Sequence, residues 1–403
     1  MIDPKELIGK LTVEELCDTA EEYYKNQADI NYLLAKPFYN QIEIPEMLQT
    51  MGILLSGLYL GKTMKVLDFG AGSCWFSRLL NQMQCQTIST DASKTALEIG
   101  KRLFREHPIV GEYVAEPVFL PFDGRRIDLP DESVDRIICY DVFHHVPNQE
   151  EILAEFGRVL KRGGIVGFSE PGEAHSQTPN SQFMMKSYAV LENDIDVDEI
   201  FGMAKRYGFT DIFLKLVVCK GRITLDDYHN IVAPRGPLVT RFRRALKTAA
   251  KVRENLRATM TSQTVFFLHK GPYVPDSRDI YGLAYALRLE KREFAIKVGE
   301  ALSFSVQVQN TGSAVWLTDN VKGIGIVKVG SRLFDANGHL LRADFSRHQF
   351  DKNILPGETA QSQVSLSFPE KGQYTVAFDL VSEGVCWFET FGSTPQSIMV
   401  TVG

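Results

Sequence analysis

The stretch Val66-Leu67-Asp68-Phe69-Gly70-Ala71-Gly72-Ser73-Cys74-Trp75-Phe76-Ser77 decides how the chain is read. An apolar strand runs into Asp68, and the turn Gly70-Ala71-Gly72 opens a helix. Glycines in such a turn let backbone N–H groups approach a ligand that a Cβ would hold off. A nicotinamide-dinucleotide fingerprint needs a third glycine where Trp75 stands, for close helix–strand packing, and indole cannot serve there. Asp68, just ahead of the glycines, would repel a phosphate but not an ammonium, so the expected ligand presents an amino group. Asp91 ends the next strand in ISTDAS. A carboxylate about 20 residues past the glycines suits a ribose diol; the alternative is a helix N-cap.

Outward from this turn, strands and helices alternate. MKVLDFG, CQTISTDAS, VDRIICYD, GGIVGFSEPG and TDIFLKLVVC read as strands, separated by helical segments such as KTALEIGKRLF and QEEILAEFGRVL. Repeated strand–helix units imply a mostly parallel sheet covered on both faces, a Rossmann-like α/β domain over residues 63–271. Residues 1–62 read as helices, with Thr12 and Glu15 as a capping box. A basic helical insertion covers 220–262, and QTVFFLHKG supplies one more strand. Residues 272–289 read as a linker. From 290 to 403, apolar and polar residues alternate between turns such as NTG, ANG and PGE, which implies a separate antiparallel β-sandwich.

The composition agrees with a soluble globular class. The 403 residues are 44% hydrophobic and 23% charged, enough for two or three domains and unlike collagen-like or disordered chains. No apolar run reaches the roughly 18 residues of a membrane span. Six cysteines without a CxxC pair indicate reduced thiols, not a disulfide framework or zinc site. The opening MIDPKELIGK lacks the apolar centre of a secretion signal. The expected location is the cytoplasm. The net charge of −6 hides a basic segment: residues 220–271 hold eleven Lys and Arg against three Asp and Glu. An acidic chain with one such segment argues against nucleic acid as a partner. Leu238, Phe242, Leu246, Ala249, Leu256 and Met260 fall near one face of the helix 238–260, with Arg and Lys elsewhere. This helix has three readings: a core-facing stripe with a solvated basic face, a peripheral contact with the inner face of a membrane, or a grip on an anionic substrate.

Between Phe122 and Gly172 the chain reads FDGRRIDLPDESVDRIICYDVFHHVPNQEEILAEFGRVLKRGGIVGFSEPG. With the glycine turn and Asp91, residues from about 63 to 215 resemble class I S-adenosylmethionine-dependent methyltransferases. The resemblance rests on D-x-G-x-G, the acid ending the second strand, the Asp-Gly pair, the PDES turn, HHV and RVLKRGG. It implies S-adenosylmethionine as cofactor. Asp68, Gly70, Ala71 and Gly72 would hold the methionine part, Asp91 the ribose, and Asp123 and Gly124 the adenine. Tyr140 and Asp141 would line the methyl-transfer side. The family often has glycine where Cys74 stands, which predicts a more crowded helix entry.

Methyl transfer to a hydroxyl needs alignment, exclusion of water and a base. Candidate bases are His144, His145 and Glu170, with His175 further along; His144 is favoured, because histidine at position 145 is common in this fold for packing. No metal constellation stands out, and no metal is expected. The C-terminal segment, with VQNTGSAVW and YTVAFDLVSEGVCWFETFGSTP, resembles β-sandwich appendages of bacterial polysaccharide-pathway enzymes. Trp316, Trp387 and Phe388 would either stack on sugar rings or fill the sandwich core. The expected reaction is O-methylation of a sugar of a surface polysaccharide or its precursor. The alternatives are a lipid, quinone, amine or other small-molecule acceptor, or an inactive glycan-binding scaffold.

Overall fold

The computed structural model describes residues 1–108, 116–217, 223–232, 237–318, 324–368 and 370–403. Cys219 and the end of the expected strand around it lie outside these residues. The chain forms two compact units, Met1–Tyr273 and Val274–Gly403.

The first unit begins with helices α1 (Pro4–Lys10), α2 (Val13–Lys25), α3 (Asn31–Leu34) and α4 (Ile44–Leu58). The capping box is formed: Thr12 Oγ1 accepts from Glu15 N at 3.1 Å, and Glu15 accepts from Thr12 N at 2.8 Å. Then follow β1 (Lys65–Phe69), α5 (Trp75–Gln82), β2 (Gln86–Asp91), α6 (Lys94–Glu106), β3 (Val118–Pro121), β4 (Val134–Tyr140), α7 (Gln149–Val159), β5 (Leu160–Pro171), α8 (Pro179–Tyr188), α9 (Val197–Ala204) and β6 (Phe209–Lys215). The insertion supplies α10 (Leu225–Val232) and α11 (Leu238–Ser262) before β7 (Gln263–Lys270).

The seven strands stand in the order β3-β2-β1-β4-β5-β7-β6, with β7 antiparallel to both neighbours and the remaining pairs parallel. Alternation distributes each strand between two faces. Leu67, Phe69, Ile137 and Cys139 join one apolar cluster with α7 and α9, while Val66 and Ile138 join another with α4 and α5. Close approach of α4 to the sheet depends on the missing side chain at Gly57, where a Cβ would stand 2.2 Å from the Phe267 ring. The strand order reverses between β1 and β4. In open α/β sheets the ligand crevice opens at the carboxyl ends of the strands at such a point.

The second unit encloses one apolar core between two sheets. Its strands are β8 (Tyr285–Arg288), β9 (Glu293–Ile296), β10 (Ala301–Asn310), β11 (Val327–Asp335), β12 (Leu340–Gln349), β13 (Thr359–Ser367), β14 (Gly372–Ser382), β15 (Cys386–Trp387) and β16 (Gln396–Val402). The sheets run β13-β10-β8 and β12-β11-β14-β16-β9. Two expectations change. The segment 272–289 is not all linker, because Tyr285–Arg288 pairs with β10 and buries Leu283, Tyr285 and Leu287. The sandwich also contains one parallel pair, β9 with β16.

Candidate active site

The glycine turn lies where the strand order reverses. Gly70 and Gly72 have φ of +66° and +53°, a region costly for residues with a Cβ. A Cβ on Gly70 would stand 1.9 Å from Cγ2 of Val142, and one on Gly72 would stand 2.6 Å from the Tyr24 hydroxyl. Cys74 also has a positive φ, +57°, and a Cβ on Gly100 of α6 would stand only 2.4 Å from its Sγ. Trp75 stacks on Phe76 and meets Tyr140 edge-on in the α4-side core. The crowding expected at the helix entry is thus taken up by the core.

The two acids beside the turn play different parts. Asp68 is buried, and its Oδ2 accepts from Ser77 Oγ at 2.6 Å. Its carboxyl also receives the Ser77 backbone N–H, which caps the first turn of α5. Burial pushes its pKa up to about 7. The geometry therefore favours a capping role over the expected contact with a ligand ammonium. Asp91 stands at the carboxyl end of β2. One carboxylate oxygen accepts from Gly72 N at 2.8 Å and the other from Ser93 N at 2.8 Å. Burial raises its pKa to about 6, against these two backbone donors. A carboxylate offers about four acceptor sites, so two remain for a pair of vicinal hydroxyls. Glycines without room for a Cβ and a buried carboxylate with spare acceptor capacity fit an adenosyl ligand.

Asp123 is a turn residue: its Oδ1 accepts from the N–H groups of Arg125 and Arg126, both at 2.8 Å, and these bonds lower its pKa. Gly124 follows with φ +90°. Tyr140 packs toward α4, its hydroxyl 2.8 Å from Thr50 Oγ1. It supports the crevice wall from the core, whereas the expectation placed it on the methyl-transfer side. Asp141 is exposed, with φ +56°.

Local sequence gives no sign that α2 covers this crevice. Tyr24 reaches Gly72, while Val13 and Cys17 stand against Gly124. Glu21 fastens the helix by accepting from Ser93 Oγ at 2.7 Å, Thr95 N at 3.0 Å and Thr95 Oγ1 at 2.8 Å. Burial opposes its ionisation, but these bonds win and hold its pKa at about 2. Ser73 Oγ donates to the Leu33 carbonyl at 3.0 Å, which ties the α3 segment to the same turn. Lys36 is held below the usual lysine range by burial, against the opposing pull of Asp141. The capping box locates α2 in the sequence; only its long-range contacts place it here.

The candidate bases gather after β4 and β5. Glu170 is fully buried at the end of β5 and accepts from Val142 N at 3.1 Å and Phe143 N at 2.9 Å. It also faces His144 Nδ1 at 2.8 Å. This carboxylate holds the 142–144 turn and has no exposed oxygen for an acceptor, so it is a positioning residue. His144 is buried as well. Burial disfavours its imidazolium, but the Glu170 contact outweighs that and raises its pKa. His145 retains 38% of its side-chain exposure. Its Nδ1 lies 2.5 Å from the Leu191 carbonyl. A carbonyl only accepts, so Nδ1 carries the proton and Nε2 is the basic nitrogen of the neutral ring. Burial and then the neighbouring His144 charge lower the His145 pKa to about 4. His175 Nε2 lies 2.6 Å from Glu192, a residue the sequence did not single out. His144, His145 and Glu192 bring ligand-type atoms within 4.8 Å of one another. Each is held by a separate partner: His144 by Glu170, His145 by the Leu191 carbonyl and Glu192 by His175.

The aromatic residues of the second unit divide. Trp316 and Phe388 are fully buried in the sandwich core, which removes them as sugar platforms. Trp387 is half-buried, with the Arg332 and Arg347 guanidiniums 4.2 and 4.3 Å from its ring centre.

Part of the chain is similar to known proteins. Residues 67–168 match the family model described as a methyltransferase domain. A sarcosine/dimethylglycine N-methyltransferase of Halorhodospira halochloris is 27% identical over 176 residues, 40% of this chain and 61% of that protein. A malonyl-[acyl-carrier protein] O-methyltransferase of Hamiltonella defensa is 22% identical over 222 residues, 55% of this chain and 79% of that protein. Among solved structures, a Haemonchus contortus phosphoethanolamine N-methyltransferase 2 in complex with S-adenosyl-L-methionine aligns with a TM-score of 0.39 and 16% identity, over 62% of this chain and 61% of that chain. The chain thus spans less than two thirds of the first of these relatives. Residues 67–168 of this chain are thus matched as a methyltransferase domain.

Proposed function

We propose that the protein transfers a methyl group from S-adenosylmethionine to a hydroxyl of a sugar in a bacterial surface glycan or its lipid-linked precursor. The observation that carries the methyl-transfer reading is the Gly70–Gly72 turn bonded to Asp91 where the strand order reverses. When bound, the sulfonium supplies an already activated methyl group. Gly70, Gly72 and Asp91 would hold the donor, with Asp123 and Gly124 on the adenine side. The α2 helix, through Tyr24 and Cys17, covers the crevice and excludes water. His145 Nε2 would take the proton that the acceptor hydroxyl gives up. His145 replaces His144 as the favoured proton acceptor, because it is partly exposed and its Leu191 bond leaves the Nε2 lone pair free. His144 and Glu170 hold the turn that presents it. The sugar reading is supported by the appended sandwich alone.

A screen of saccharide, lipid, quinone and amine acceptors with methyl-labelled cofactor tests the reading. Label in saccharide or lipid-linked saccharide is expected; label only in lipids, quinones or amines overturns the sugar assignment. For the base, His145→Ala is expected to lower kcat by about a hundredfold or more, with S-adenosylhomocysteine affinity unchanged. Retained activity in His145→Ala, with loss in His144→Ala, would return the role to His144.

A further inference from the structure

An apolar stripe on an amphipathic helix normally faces a core. In α11 it faces solvent. Leu238, Val239, Phe242 and Leu246 are 80%, 68%, 66% and 57% exposed, and every residue from 238 to 247 is exposed. At about 100° per residue, Leu238, Val239, Phe242, Ala245 and Leu246 fill a sector about 120° wide. Arg241 and Arg243 flank its two edges, and Arg244 and Lys247 lie behind it. No acidic residue occurs between Leu238 and Lys247.

The partner helix covers the other side. Asp227 of α10 accepts from Lys251 Nζ at 2.8 Å and from Thr248 Oγ1 at 3.0 Å. Arg244, Lys247, Thr248 and Lys251 line the cleft between the helices. These residues occupy the face opposite the apolar sector, so α10 fastens α11 without shielding Phe242 or Leu246.

We propose that the amino-terminal half of α11 lies in the surface of an anionic lipid bilayer. Leu238, Phe242 and Leu246 would enter the acyl boundary while Arg241 and Arg243, at its two edges, meet lipid phosphates. An apolar sector bordered on both sides by cations, with no acid to repel the headgroups, is complementary to that surface. No helix among the described residues is long and apolar enough to cross a membrane, so the contact is peripheral. This inference is independent of the methyl-transfer reading.

The test is co-sedimentation of the full chain with vesicles of phosphatidylcholine plus phosphatidylglycerol, against phosphatidylcholine alone. Binding to the anionic vesicles that weakens with added salt is expected. Phe242→Asp/Leu246→Asp and Arg241→Glu/Arg243→Glu should each weaken it about ten-fold or more. The substituted side chains are exposed, so thermal unfolding and S-adenosylhomocysteine affinity should stay at wild-type values and report an intact fold. Absence of binding, or equal binding by Phe242→Asp/Leu246→Asp, overturns the proposal. A self-association lost in Phe242→Asp/Leu246→Asp, without vesicle binding, overturns it in favour of a second copy of the chain.

Discussion

The carboxyl ends of the parallel strands and the interior of the sandwich are both shielded from water, yet they are filled differently. Around β1, β2, β4 and β5 the buried side chains include Asp68, Asp91, His144 and Glu170. Inside the sandwich they are Trp316, Phe378, Phe388 and aliphatic residues, and the buried acid among the described residues is Asp379. Asp379 is itself satisfied by the backbone N–H groups of Leu380 and Glu389. Burying a charge is costly. The first unit meets that cost at one edge of its sheet, where Asp91 has acceptor capacity to spare and the histidines face carboxylates. The second unit meets it at Asp379, where both carboxylate oxygens are engaged by backbone N–H groups. The contrast puts the candidate binding groups in the first interior and leaves the second to packing.

The sharpest way to break the contrast is at the glycine turn. Gly70→Ala forces a Cβ into Val142 at a left-handed φ, and loss of S-adenosylhomocysteine binding by calorimetry is expected. Val142→Ala in the same chain should recover part of it by removing the colliding methyl groups. In the sandwich the comparable insult is Trp316→Ala, which should destabilise the second unit by about 3–5 kcal/mol. Calorimetric unfolding should show that loss while cofactor affinity is unchanged; a parallel fall in affinity would erase the distinction between the interiors.

Asp91→Asn is expected to weaken S-adenosylhomocysteine about a hundredfold, from two hydrogen bonds to a charged acceptor at roughly 1.5 kcal/mol each. The sign of its pH dependence follows from the carboxylate: hydroxyl donors need the ionised form, and burial raises the pKa to about 6. Wild-type affinity should therefore be full above that value and fall as pH drops through it, whereas the Asn variant should be flat over the same range. The smallest effect is expected from Trp387→Ala, beside Arg332 and Arg347. Turnover should change by less than about twofold, within the usual range for a surface substitution. A larger fall in turnover on a saccharide acceptor would bring the sandwich into substrate binding.

Much of the fold was legible in the chain because its signals are local. Apolar runs ending at Asp68, Asp91 and Tyr140 mark strands, and the glycines between them can adopt the backbone angles of the turn. Alternation after residue 290 marks the sandwich. The linker was misjudged because Tyr285–Arg288 is a four-residue strand whose partner, β10, lies about twenty residues on. The candidate site was legible in its glycines and in Asp91, but not in the surroundings of its candidate bases. His144 and His145 are neighbours in sequence, and only the placement of Glu170 and Leu191 separates a buried positioning ring from a partly exposed one.

The amino-acid sequence by itself determined the class of both units and the position of the glycine turn, since side-chain period and backbone freedom act over a few residues. The tertiary structure decided the rest: that α2 lies over the turn, that Asp68 caps α5, that Trp316 belongs to a core, and that the apolar sector of α11 meets solvent. Each is a matter of burial. Burial depends on which distant segment arrives at a side chain, and a periodic pattern states that a face is apolar without stating what covers it.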